Sequence, residues 1–285
     1  MKLEQLRVPL IPRSNIDCLD LGIMFFGRHF LSMVRLWCWV AIPAMLLTYL
    51  GAWYRKLHLG YVLLGLFLLT GAWSTLLVGK TSRAVFGESF DRYPSSGRER
   101  TKLVGLMIKA FGARLLTLLG FCLFILPGWW IGVRSSFFPE KSFLSSMEGR
   151  SQDRRTSELI NQELGQLTQR SLSTGLMMLC VIVCLFATVD YFSNLLFHKP
   201  ILWGQVLTAN GGAYSVEDDP FDYFSDLLAH DPLVLSVLTG VILFVYPIVR
   251  FAWFFCYIDL RVRGDFWDLE LRFQKEVERL QETSL

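Results

Sequence analysis

The apolar residues of this chain are gathered into blocks of about the length a helix needs to cross a bilayer, with polar residues filling the gaps between them. The blocks are Val34–Tyr54, Leu59–Gly79, Leu103–Val133, Leu172–Phe197 and Leu233–Ile258. Blocks of about twenty predominantly apolar residues read as helices that cross the hydrocarbon core. Charged residues make up only 19% of the chain, against about 25% in soluble domains. The expected fold is therefore all-α, a polytopic membrane helix bundle.

The charges between the blocks orient the bundle, because loops left in the cytoplasm are enriched in Lys and Arg. Residues 80–102 carry six, Lys80, Arg83, Arg92, Arg98, Arg100 and Lys102. Residues 134–171 carry another six, including Arg134, Lys141 and Arg170. Loop 198–232 has Lys199 alone against six acids: Glu217, Asp218, Asp219, Asp222, Asp226 and Asp231. Both termini and the two basic segments are thus expected inside, and the acidic loop outside. Arg55 and Lys56 then lie outside on a short turn.

This orientation creates a parity problem. If Leu103–Val133 crossed once, one of its basic flanks would be outside. As one helix it would be about 46 Å long, well beyond a core of roughly 30 Å. A hairpin of two short helices turning near Thr117–Gly120, re-entrant or tightly folded, removes both difficulties. A single tilted span is the alternative. The expected bundle has four long spans plus this hairpin, about six membrane helices. Pro43, Pro127 and Pro247 should bend their helices.

Amphipathic helices are expected at both ends. Residues 1–33 form a cytoplasmic N-terminus in which Ile16, Leu19, Ile23, Phe26 and Phe30 recur at helical spacing after the capping residues Ser14 and Asn15. Residues 34–258 form the bundle. In the cytoplasmic tail, 259–285, Phe266, Leu269, Phe273, Val277 and Leu280 form one stripe. The first block starts near residue 34 with no small-residue cleavage site after it, so the first span is expected to stay in the mature protein. The six cysteines all lie in or beside apolar stretches, and Cys180 and Cys184 share a helix face. They read as small apolar fillers and not as a disulfide framework.

Several short motifs follow one another through the chain. Gly27-Arg28-His29-Phe30 precedes the first span. Leu126-Pro127-Gly128 leads to Val133-Arg134, then Phe138-Pro139-Glu140, Glu148-Gly149 and Arg154-Arg155-Thr156-Ser157-Glu158-Leu159. The chain closes on Tyr257-Ile258-Asp259-Leu260-Arg261-Val262-Arg263 and Phe266-Trp267-Asp268-Leu269-Glu270. This series resembles the bacterial family named after the membrane domain of glycerophosphoryl diester phosphodiesterases. The closing Tyr-x-Asp-x-Arg-x-Arg stretch is its most specific part. The resemblance implies a six-helix protein of the bacterial cytoplasmic membrane, in most cases without an assigned activity. The long acidic loop departs from that family's pattern.

The catalytic half of such an enzyme has no counterpart here. A glycerophosphodiesterase needs a soluble metal-binding domain with His and several carboxylates. The four histidines, His29, His58, His198 and His230, are scattered and lack metal-ligand spacing. The chain has no phosphate loop, nucleophile elbow or His-Glu-x-x-His. The expectation is a protein that is not an enzyme and needs no cofactor.

The residues that stand out are charges placed in apolar surroundings. Arg250, Asp190, Arg114 and Lys109 fall inside blocks, where a charge is costly and faces protein or water. Arg250 reads first as half of an internal ion pair or a snorkelling side chain, and more sharply as an anion contact; Asp190 is one candidate partner. Lys109 and Arg114 could snorkel to the inner interface. Tyr257, Asp259, Arg261, Arg263 and Asp268 read as a structural cluster whose charge pairs fix the tail. The expected function is a scaffold or accessory subunit of a transport or envelope complex, the alternative a transporter or channel for a small solute or lipid. The implied company is the lipid bilayer and another membrane protein. No basic run suggests nucleic acid, and oligomeric state is left open.

Overall fold

The computed structural model describes residues 14–85, 90, 97–144, 158–203, 205–206 and 220–265. Among them there is no strand. The helices are α1 (Asn15–Arg28), α2 (Phe30–Arg55), α3 (Leu59–Val85), α4 (Gly97–Leu123), α5 (Ile125–Ser135), α6 (Phe138–Leu144), α7 (Leu164–Phe197), α8 (Pro220–His230) and α9 (Pro232–Asp265). Five are long and apolar enough to cross a membrane: α2, α3, α4 from Glu99, α7, and α9 to Gly264. The protein is an all-α polytopic bundle. The apolar stripe of the tail, Asp268 and most of the acidic loop lie outside the described residues.

The chain divides into two compact units. The first comprises residues 1–32, 68–174 and 247–285, the second residues 33–67 and 175–246.

In the first unit α9 is the hub. Its residues from Arg250 to Val262 are buried without interruption, so it is covered on every side. The 136–140 segment covers one face, where Phe137 stacks on Trp253 at 4.9 Å and meets Tyr257 at 5.4 Å. Residues 250, 253 and 257 share that face by helical spacing.

Helix α1 covers the neighbouring face. A capping box starts it, with the Asp17 N–H donating to Ser14 Oγ at 3.2 Å and the Ser14 N–H to Asp17 Oδ2 at 2.9 Å. Of the apolar stripe, Ile16, Ile23 and Phe30 are exposed while Phe26 is buried. Cys18 and Gly22 are buried with Phe26. Small residues win this face because they let the backbones approach: a Cβ on Gly22 would lie 2.7 Å from the Ala252 nitrogen. Phe25 then meets Phe251 and Phe255, and Cys18 lies beside Cys256.

The hairpin is present, but its turn is at Phe124 and not at Thr117–Gly120. Phe124 is extended (φ −160°, ψ 153°) between α4 and α5. The arms close where Gly120 faces Gly128, a contact at 2.9 Å from the position of a Cβ on Gly120. Turning later lets these glycines face each other and makes the arms unequal. Eleven residues in α5 span about 16 Å, half of a hydrocarbon core. The apex, Leu123-Phe124-Ile125-Leu126, is apolar and 71–83% exposed, as lipid-facing residues are. The returning arm of the hairpin, α5, brings Ser135 and Ser136 back beside Ala113 and Arg114.

In the second unit Val234, Val241 and Val245 pack on Phe186, Ile201 and Leu202. Trp37 Nε1 donates to the Gly240 carbonyl at 3.2 Å and Ser236 Oγ to the Met45 carbonyl at 3.1 Å, tying α2 to α9. Lys56 ends α2 in the left-handed region (φ 49°) and His198 ends α7 likewise (φ 51°). His58 lies against His230 at 5.1 Å. The α2–α3 connector and the end of α8, both expected outside, thus share one end of this unit.

Replacing Gly22 by Ile should force α1 off α9. The expected cost is about 1–3 kcal/mol, read as a lower thermal unfolding midpoint of the detergent-solubilised protein. Gly27→Ala, where a Cβ meets nothing within 4 Å, should leave the midpoint unchanged or raise it.

Candidate functional site

Two clusters of buried charge lie in the first unit, and α9 contributes to both. The upper one begins with Arg250, which is 4% exposed. Pro139 and Glu140 fall in the first turn of α6, where proline is tolerated and a carboxylate is favoured by the helix dipole. This places Glu140, fully buried, against Arg250, and the two form an ion pair through Nη2 and Oε2. Arg250 Nη1 donates to the Ser136 carbonyl at 3.0 Å. Burial pushes the Glu140 carboxyl above its ordinary range, while Arg250 and then Arg114 pull it back.

The satisfaction is incomplete. Glu140 Oε1 and Arg250 Nε are buried with no hydrogen-bond partner among the described residues. Such a pair adds little net stability, because desolvating two ions offsets their attraction. Its effect is to fix where α6 sits on α9. Beside it, Ser74, Arg114, Ser135 and Ser136 line a cavity of about 10 Å³, at the lower limit for one water. The half-buried Arg114 reaches it across Gly71, where a Cβ would meet the Arg114 side chain at 2.9 Å. Lys109 is exposed and takes no part.

The lower cluster centres on Asp259. Arg170 Nη1 donates to its Oδ2 at 2.9 Å, and Arg263 Nε to its Oδ1 at 3.0 Å. Arg170 comes from the polar start of α7, so the pair binds that helix to the end of α9. Nearby, Asn15 Nδ2 donates to Ser173 Oγ at 2.6 Å, bringing the start of α1 to the same place. Tyr257 and Arg261 are fully buried beside this cluster. Of the five residues grouped from sequence, four lie together on α9, and Asp268 falls outside the described residues.

Asp190 is not a partner of Arg250. Its carboxylate accepts the backbone N–H groups of Ile201 at 2.7 Å, Leu202 at 3.0 Å and Trp203 at 2.8 Å. It closes the turn after α7 by satisfying donors that would otherwise be buried. Sequence reasoning missed Glu140 and Arg170 as partners. Glu140 stood in a quoted motif, three residues from an aromatic pair. Arg170 was counted only as one more positive charge of its loop.

Glu140→Ala should leave Arg250 buried and unpaired, at a cost of about 3–5 kcal/mol. Glu140→Leu combined with Arg250→Met should recover most of that loss. Thermal unfolding of the three proteins in one detergent checks the order; a double variant as unstable as the single one would contradict it.

Compared with protein-family models, with curated proteins and with solved structures, the chain matches none.

Proposed function

We propose that the chain is a non-enzymatic protein of the bacterial cytoplasmic membrane, a scaffold or accessory subunit of a transport or envelope complex. Both termini lie in the cytoplasm in this reading. One observation supports it above others: the two most buried charges within the apolar blocks, Arg250 and Asp190, are taken up by internal contacts. Arg250 is used by Glu140 and the Ser136 carbonyl, and Asp190 by three backbone donors. A transporter needs such groups lining a space that a solute can enter. The cavity beside Arg114, at about 10 Å³, admits none larger than water.

The orientation draws support from the hairpin. By returning beside Arg114 it removes the parity problem, so residues 80–102 and 134–171 can both follow the positive-inside rule. The resemblance to the glycerophosphodiesterase membrane-domain family agrees with this reading, since its most specific motif coincides with the buried end of α9.

Two experiments test the proposal. In intact cells, with the six native cysteines replaced, Ser151→Cys should resist a membrane-impermeant thiol reagent and Ala213→Cys should react. The reverse pattern would invert the orientation. Cross-linking in cells should capture one reproducible membrane partner, whose own assembly declines when this chain is deleted. Failure to find such a dependence, together with saturable solute flux in liposomes that Arg114→Ala abolishes, would establish the transporter reading instead.

A further inference from the structure

The start of α7 and the end of α9 enclose a cleft of about 170 Å³. Gln162, Glu163, Gln166 and Arg170 line it from one side, Asp259 and Arg263 from the other. Its position is set by helix length. The 34 residues of α7 span about 51 Å, so some 20 Å of it lies beyond a hydrocarbon core of roughly 30 Å. The polar end, with Gln166, Gln169 and Arg170, is the part that leaves the core. The final turns of α9 leave with it, since Arg170 is bound to Asp259. The cleft therefore lies at headgroup level.

Its charges are balanced but separated. Arg170 and Arg263 face two carboxylates, yet Asp259 already accepts a hydrogen bond from each arginine. Glu163 is half-buried and makes no ion pair among the described residues. A guanidinium has five N–H donors, and the bond from Arg170 to Asp259 uses one. The cleft thus offers guanidinium donors of Arg170, the carboxylate of Glu163 without an ion pair among the described residues, and the amides of Gln162 and Gln166. A bare anion would meet Glu163 unfavourably, and a bare cation would meet the arginines.

We propose that this cleft binds the headgroup of an aminophospholipid, with the phosphate on Arg170 and Arg263 and the ammonium on Glu163. The inference does not require the scaffold reading; it rests only on the placement of these helix ends at the membrane surface.

Native mass spectrometry of the delipidated protein in mild detergent tests it, with dihexanoyl phosphatidylethanolamine and dihexanoyl phosphatidylglycerol as probes. The expected result is saturable retention of one ethanolamine lipid, about fivefold or more over the glycerol lipid. Glu163→Gln should abolish that preference while the protein keeps its unfolding midpoint. Arg263→Gln should weaken both lipids, with Arg170 left to hold Asp259. Equal retention of the two lipids, or an unchanged preference in Glu163→Gln, would overturn the proposal. Displacement by free phosphoethanolamine at the same concentration as the lipid would assign the site to a soluble zwitterion and overturn the lipid. Absence of displacement supports it.

Discussion

An arginine on a helix buried from all sides fixes the layout of the first unit. Arg250 cannot reach water, because the helix that carries it is covered from Arg250 to Val262. A buried guanidinium needs an anion and a carbonyl close by, and the chain must deliver both. It does so with one short segment, in which Ser136 supplies the carbonyl and Glu140 the carboxylate. That segment can arrive only if the preceding hairpin comes back. The exposed apolar apex, the facing glycines Gly120 and Gly128, and the short α5 are the conditions for its return. Aromatic stacking of Phe137 on Trp253 then adds directional packing to a contact whose electrostatic part is nearly self-cancelling.

Two further buried charges follow the same logic with different partners. Asp190 finds backbone donors, and Asp259 finds two arginines. Two of these contacts join elements distant in sequence, α6 with α9 and α7 with α9, and the third holds the turn that follows α7. In lipid the hydrophobic effect does not hold helices together, because an exposed leucine is already in an apolar solvent. Position must come from close packing of small residues and from polar contacts. Gly22 against Ala252 and Gly71 against Arg114 are the first kind, and the buried ion pairs the second.

This also explains what was legible in the sequence. Block length and charge bias gave the spans and the existence of a hairpin, since both follow from bilayer thickness and composition. The face of α1 that packs on protein was not legible, because amphipathic periodicity reports what avoids water: Ile16 and Ile23 face out while Cys18 and Gly22 face the protein. The turn of the hairpin moved from Thr117–Gly120 to Phe124 for a related reason: glycines that look like turn formers were used for close approach of the arms. The four residues grouped near the end of α9 were visible as a motif. The distant partners were not: Arg170 lies 89 residues from Asp259, and Glu140 lies 110 residues from Arg250.

A protein solvated by lipid cannot advertise its interaction surfaces through apolar patches. Only about a tenth of the most apolar stretch in α2 and in α7 is buried, against about half in α3 and α9. On a soluble protein those two outer helices would signal a missing partner; in a bilayer their leucines are already at home. Selective contacts must therefore come from groups that lipid tails cannot satisfy, and within the spans Arg250 and Asp190 have been drawn inward. The ends of the helices, where hydrocarbon gives way to headgroups, are where polar side chains such as Glu163, Gln166 and Arg170 remain within reach. Polar contacts available from outside this chain are consequently found at its helix ends, while its apolar helix surfaces match the bilayer.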